Sequence, residues 1–285
     1  MLDRAKGGGA MNTTLCQRWR AGRCRWRPAV EGFDARAYEV APIADDRTAR
    51  AFVIETHYSK SYPAARWRFG LYERTGALVG VVVFSVPAHP AVLRPWGPAG
   101  AIELGRLVLR DHVPGNAESW TVARCFDLLR VEGVDGVVSY SDPVERVALD
   151  GRVVLGGHIG RTYQALNAVY DGRGRASVQH LLPDASVLAP RALSKIRNGE
   201  RGWRYGVAQL VAAGAREPSV GEDLRAWLAQ TLPTVARARK HPGNHRYLFG
   251  LTGAGKRTLP AGQPYPRLAR PACGVVTAMC ERRAA

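Results

Sequence analysis

Gly136-Val137-Val138-Ser139-Tyr140-Ser141-Asp142-Pro143 is the stretch that decides the fold. From Gly136 to Ser141 it is small, β-branched and aromatic, a composition suited to a buried strand. Pro143 ends the run, because it lacks an amide donor and pushes Asp142 into an extended conformation. A carboxylate therefore stands at the tip of a strand, a rigid place from which to aim chemistry. A polar loop leads to His158 and then to Tyr163-Gln164-Ala165-Leu166-Asn167-Ala168-Val169-Tyr170. There Tyr163, Leu166, Asn167 and Tyr170 fall on one face of a predicted helix. Two readings stand at this point. One is a site offering a carboxylate, an imidazole, phenols and amides; the other is a core strand with a turn aspartate and a helix buried by its tyrosines.

Upstream, Ile102 to Arg110 reads as a long apolar strand carrying Glu103 and Arg106. A buried arginine needs an anion, either Glu103 or a ligand. Asp111 to Trp120 is a predicted turn feeding an amphipathic helix, Glu118 to Glu132, whose first amides suit an anion. Asp45 to Thr56 has helical spacing behind an acidic first turn and delivers His57-Tyr58 just past its end. Trp67 to Tyr72 and Ala77 to Val86 form a predicted hairpin around Arg74-Thr75-Gly76. Further upstream, Cys16 to Pro28 interleaves arginines with Trp19 and Trp26, which suits phosphate contacts and base stacking or, equally, an arm packed on the domain.

Downstream, Val178 to Leu182 and Val187 to Ala189 flank a turn and read as a second hairpin. Arg191 to Arg204 is basic, and helical stretches are expected at Val207 to Ala213 and Gly221 to Leu232. Arg237 to Tyr247 is predicted as a dense basic and aromatic loop before a strand from Arg246 to Leu251. Arg237, Arg239, Lys240 and Arg246 are its candidate nucleic-acid contacts, the other reading being a solvated basic surface.

The 285 residues are 46% hydrophobic, enough for a sizeable core. Forty-one Lys and Arg against 24 acids give +17, a balance that attracts polyanions through phosphate pairing and counterion release. No apolar run approaches the roughly 18 residues of a membrane span, so no membrane partner is expected. The expected location is the cytoplasm, with Met11 a second candidate start. Five scattered cysteines argue against a disulfide framework.

The order strand, anion-accepting turn, helix, strand, loop, helix resembles the core of the GNAT (acyl-CoA N-acyltransferase) fold. The segments ELGRLVL, ESW, SYSDP and GHIGRTYQALNAVY, spread between His57 and Phe249, more closely resemble the phage Mom family of DNA-modifying proteins. That resemblance implies an α/β, GNAT-like mixed sheet flanked by helices, and conversion of adenine in DNA to N6-(carbamoylmethyl)adenine, which protects DNA from restriction. It implies that Arg106 and Ser119 hold the acyl donor, and that Asp142 and Tyr163, with the His57-Tyr58 pair, are catalytic or hold iron(II). The donor would be acetyl-CoA or another activated carrier, a nucleic-acid-carried one included, and the partner double-stranded DNA. Two departures matter. Val147 to Leu155 lengthens the spacing between Asp142 and His158, and the turn Val113 to Glu118 lacks the Gly-rich pyrophosphate loop of ordinary GNAT enzymes.

The expected division is a basic arm (1–36), a GNAT-like core (37–190), a basic helical extension with a closing strand (191–251) and a mobile tail (252–285). Two other functions compete: coenzyme A-dependent N-acetylation of a small amine or protein, and DNA binding without catalysis.

Overall fold

The structure is a computed structural model that describes residues 15–28, 31–87, 89–97 and 99–267. It opens, within the expected basic arm, with a hairpin of β1 (Leu15–Arg20) and β2 (Arg23–Pro28). Then come β3 (Tyr38–Pro42), α1 (Asp46–Thr56), β4 (Ala65–Glu73), β5 (Leu78–Ser85), β6 (Ala101–Leu109), α2 (Ala117–Val131) and β7 (Gly136–Ser141). A small hairpin, β8 (Arg146–Val147) with β9 (Val153–Leu155), takes up the lengthened spacing after Asp142. Next are α3 (Arg161–Ala165), β10 (Val169–Arg173), β11 (Ser177–Leu181) and β12 (Val187–Leu188). The helices α4 (Pro190–Asn198), α5 (Trp203–Ala212) and α6 (Leu224–Val235) precede β13 (Arg237–His241), β14 (His245–Gly250) and α7 (Gly253–Arg257).

The main sheet has seven strands in the order β10-β14-β7-β6-β5-β4-β3. Its neighbours are antiparallel except β6 and β7, which α2 joins as a parallel crossover. β5 sits mid-sheet and is buried on both faces, which its unbroken run LVGVVVFS requires. Val81 and Val83 meet Phe52 and Val53 of α1 on one face. Val82 and Phe84 meet Val122 and Phe126 of α2 on the other. This is the mixed α/β fold class expected. A separate core, with Leu193, Ile196, Leu210 and Trp227, holds α4, α5 and α6 together. Among the described residues no helix is long and apolar enough to cross a membrane.

Three expectations are corrected. Tyr163 to Tyr170 is not one helix: α3 ends at Ala165, Asn167 takes a left-handed φ of 56°, and Tyr170 lies on β10. A left-handed residue breaks the helical ladder, and Val169 favours the strand that follows. The basic stretch from Arg237 is a strand, β13, paired with β11, rather than a loop. Residues 252–267 are packed, not a free tail. Trp96 Nε1 donates to Gly255 O at 2.9 Å, Gln263 N to Tyr170 O at 2.8 Å and Tyr265 Oη to Ala168 O at 2.6 Å. The rest of the expected tail, 268–285, and the proposed start at Met11 lie outside the described residues.

Candidate functional site

β6 and β7 pair from Ala101↔Gly136 to Leu104↔Ser139, and the register ends there. On the other side of β6, Val83 pairs with Arg106 and Phe84 with Leu104, so Gly105 is a bulged residue. A Cβ on Gly105 would stand 2.4 Å from Ser85 Oγ, which is why the bulge needs glycine. Bulge and divergence together leave a gap in the sheet beside the start of α2.

Side chains from four places converge on that gap. α1 is seated by Phe52 and Val53 and ends at His57, which caps it and packs its ring 4.3 Å from that of Tyr58. β6 supplies Arg106, the first turn of α2 supplies Ser119, and α3 supplies Tyr163. Gly160, at φ +71°, lets the chain enter α3 where a side chain would strike Tyr247 and Tyr163. The cavity they line is about 780 Å³ and also includes Tyr140 and His158. Thus His57, Tyr58, Arg106, Ser119 and Tyr163 are brought together as expected, while Asp142 does not line the cavity.

Burial keeps the imidazoles and phenols of this cavity uncharged. Burial holds His57 well below the ordinary imidazole range, helped by the nearby Arg106 charge. Burial likewise takes His158 down to about 4, against the pull of Asp142. Burial pushes the Tyr163 phenol up to about 12, against a hydrogen bond with Ser139. At neutral pH the cavity therefore holds neutral imidazoles, intact phenols and the Arg106 cation. Ser59 N donates to His57 Nδ1 at 3.1 Å, so a neutral His57 carries its proton on Nε2. His158 has no side-chain hydrogen bond among the described residues, which leaves a ring nitrogen open to accept a hydrogen bond. Arg106 does not pair with Glu103; Nε donates to Ser61 O at 2.9 Å and a terminal nitrogen to Ser61 Oγ at 2.7 Å.

Asp142 is only 5% exposed and its carboxylate is fully engaged. It accepts from the Arg146 guanidinium, from His241 Nε2 at 3.0 Å and from Val144 N at 2.9 Å. Gly243 N donates to His241 Nδ1 at 3.1 Å, fixing the proton on Nε2. Burial alone would raise the Asp142 pKa, but Arg146, His241 and the Val144 amide outweigh it and hold it low. Asp142 thus ties the end of β7 to β13. His241 was hidden within the basic run from Arg237, and nothing local marks it as Asp142's partner.

These donors do not make the expected iron site. Asp142 is spent on Arg146 and His241, and His57 Nδ1 on Ser59. Among the described residues no group of three or more His, Cys, Asp or Glu is placed to hold a metal ion.

The anion-accepting turn is also filled, by the chain itself. Glu31 Oε2 accepts from Gly115 N at 3.1 Å, and Arg27 grips Glu31 through Nε at 2.8 Å and a terminal nitrogen at 2.9 Å. Arg18, from β1, is 4% exposed, pairs with Glu118 and donates to Val113 O at 3.1 Å and Pro114 O at 3.2 Å. A coenzyme A pyrophosphate on this turn would have to displace Glu31.

Of the basic residues expected to meet DNA, Arg237 donates to Val147 O at 3.3 Å and Arg239 to Glu145 O at 2.5 Å. Arg246 pairs with Asp171 at 3.0 Å and donates to Val92 O at 2.8 Å. Lys240 is exposed on β13.

The family model described as Mom protein family matches residues 37–267. No curated protein matches the chain. The chain is similar to a GNAT family N-acetyltransferase from Escherichia coli in complex with CoA, at 16% identity and TM-score 0.30, over 38% of this chain and 64% of that one. It is similar to the spermidine/spermine N-acetyltransferase SpeG from Vibrio cholerae at 9% identity and TM-score 0.36, over 79% of this chain and 99% of that one. A putative acetyltransferase from Pyrococcus horikoshii is similar at 11% identity and TM-score 0.37, over 77% of this chain and 92% of that one.

Proposed function

The chain belongs to the Mom protein family, and from that premise we propose that it converts adenine in DNA to N6-(carbamoylmethyl)adenine, protecting the DNA from restriction. One observation carries the reading: residues from α1, β6, α2 and α3 meet around a single cavity of about 780 Å³. That volume lies in the range of small-ligand sites, roughly 300–1,000 Å³. It would take one extruded base with a small transferred group but not a duplex, and enzymes that work on a base take it out of the stack. Tyr58, Tyr140 and Tyr163 give the cavity aromatic walls for a base to stack on.

In this reading adenine N6 forms a bond to the CH₂ carbon of a carbamoylmethyl group carried by an activated donor. The bond from that carbon to the carrier breaks with its electron pair leaving on the carrier, and N6 loses a proton. His158, neutral and with no side-chain hydrogen bond among the described residues, takes it in passing and, with a pKa of about 4, hands it on to solvent. His57 offers Nε2–H and Tyr163 its hydroxyl to charge that develops on the reacting groups. Arg106 and Ser119 line the donor side. Simple coenzyme A-dependent acetylation is less well supported, because Glu31 holds Gly115 N, where the pyrophosphate would sit.

Mass spectrometry of nucleosides from the DNA of cells expressing the protein tests the proposal. N6-(carbamoylmethyl)adenine is expected with the natural chain and not with Tyr163→Phe. DNA without modified adenine, from cells making folded protein with its donor available, would overturn it.

A further inference from the structure

α4 and α5 are joined by Gly199 to Gly202, a turn entered and left by glycines in the left-handed region, φ +61° and +86°. Only glycine enters that region without strain, so the reversal is written into the sequence. The two helices pack tightly: a Cβ on Gly206 would stand 2.9 Å from Ile196 Cδ1 and 3.4 Å from Ala192 Cβ. Trp227 and Leu228 of α6 complete their core. This is the connectivity of a helix-turn-helix unit.

What the unit leaves outside is as informative. α5 buries Gly206, Val207 and Leu210 and exposes Arg204, Tyr205, Ala208 and Ala212. Tyr205 is 68% exposed, far more than packing requires. α5 contains no acid. Arg197 and Arg201 are exposed and, like Arg204, form no ion pair among the described residues. Glu200, the acid in the turn, is already paired with Arg191 at 2.5 Å. By contrast Arg237, Arg239 and Arg246 spend hydrogen bonds on the chain's own backbone or on Asp171.

We propose that α5 is the element this protein lays in the major groove of duplex DNA, with Arg197, Arg201 and Arg204 on phosphates or base edges and Tyr205 against the groove. A helix about 10–12 Å across matches a B-form major groove about 12 Å wide. Ala208 and Ala212 leave the middle of its outer face low enough for close approach. The deep, narrow major groove of A-form RNA does not admit a helix, so duplex DNA is the partner. The inference rests on the reading above that the substrate is adenine in DNA, and it names the surface that would hold the duplex.

The test is titration of a fluorescent DNA duplex with the full chain across a salt series. Replacing Arg197, Arg201 and Arg204 together by Ala is expected to weaken binding roughly tenfold or more and to lower the slope of log affinity against log salt by about 2–3. Replacing all three by Lys keeps the charge and is expected to keep the slope, which separates phosphate pairing from a folding defect. An unchanged slope in the Ala variant would overturn the surface alone, the more so if neutralising Arg237, Arg239, Lys240 and Arg246 lowers it instead. Tighter binding of an RNA hairpin than of the duplex would also overturn it. Failure of the natural chain to bind duplex at any salt would overturn this inference and the proposed function with it.

Discussion

Asp142→Asn is the substitution that most sharply separates a reacting carboxylate from a structural one. Asn keeps the shape and can still accept from His241 Nε2 and Val144 N. Its amide nitrogen, however, would face the Arg146 guanidinium, donor against donor, leaving a side chain only 13% exposed without its counter-charge. Breaking one partner of a buried pair costs about 3–5 kcal/mol. In a protein of this size each kcal/mol moves Tm by roughly 2–4 °C, so a loss of about 10 °C is expected in differential scanning calorimetry. Adding Arg146→Met removes the stranded cation and should recover a large part of that loss, with a coupling energy of roughly 0.5–3 kcal/mol between the two sites. Modification activity should return with stability in the double variant, because the role is positioning: Asp142 fixes β7 to β13. Asn with unchanged Tm but no activity would refute this reasoning and return Asp142 to the reacting groups.

Tyr163→Phe removes one hydroxyl and its hydrogen bond with Ser139, a loss of about 1 kcal/mol that should lower Tm by only roughly 2–4 °C, while modified adenine, read by nucleoside mass spectrometry, falls by about 10²–10⁴-fold, the range typical of one acid–base group. His158 has a pKa of about 4 in the folded chain, below its unfolded value. Its contribution to stability is therefore complete above about 6.5 and lost as pH falls toward 4; urea midpoints measured across that window should decline, and His158→Gln should flatten the decline. Asp142 is also held below its unfolded pKa, so its share is present above about 4 and is lost only on further acidification, which acid titration of the His158→Gln variant would isolate. Glu31→Gln removes the charge that Arg27 holds on Gly115 N. Calorimetric titration with coenzyme A should show tighter binding than to the natural chain, and no change would argue that the donor never uses this turn.

Local chemistry made much of this protein legible. The unbroken apolar run of β5 announces a strand covered on both faces, and Asp45 caps α1 through Thr48 N at 2.7 Å, as its acidic start implies. The parallel crossover from β6 through α2 to β7 follows from apolar runs of the right length and a turn of the right composition. The segments carrying His57, Arg106, Ser119 and Tyr163 were likewise visible, and they do share one cavity. What sequence could not show is which groups meet across long separations. Tyr163 and Tyr170 have the spacing of a helix face, yet Asn167 turns left-handed and sends Tyr170 into β10, where it pairs with Tyr247 of β14. Asp142 finds His241 at a separation of 99 residues only because β13 pairs with β11. Glu31 reaches Gly115 only because the chain after β2 docks on the turn before α2. Periodicity and capping are energies between near neighbours, so the sequence carries them openly. Which carboxylate meets which amide is set by sheet register and by how the hairpins close, and those appear only once the chain is folded.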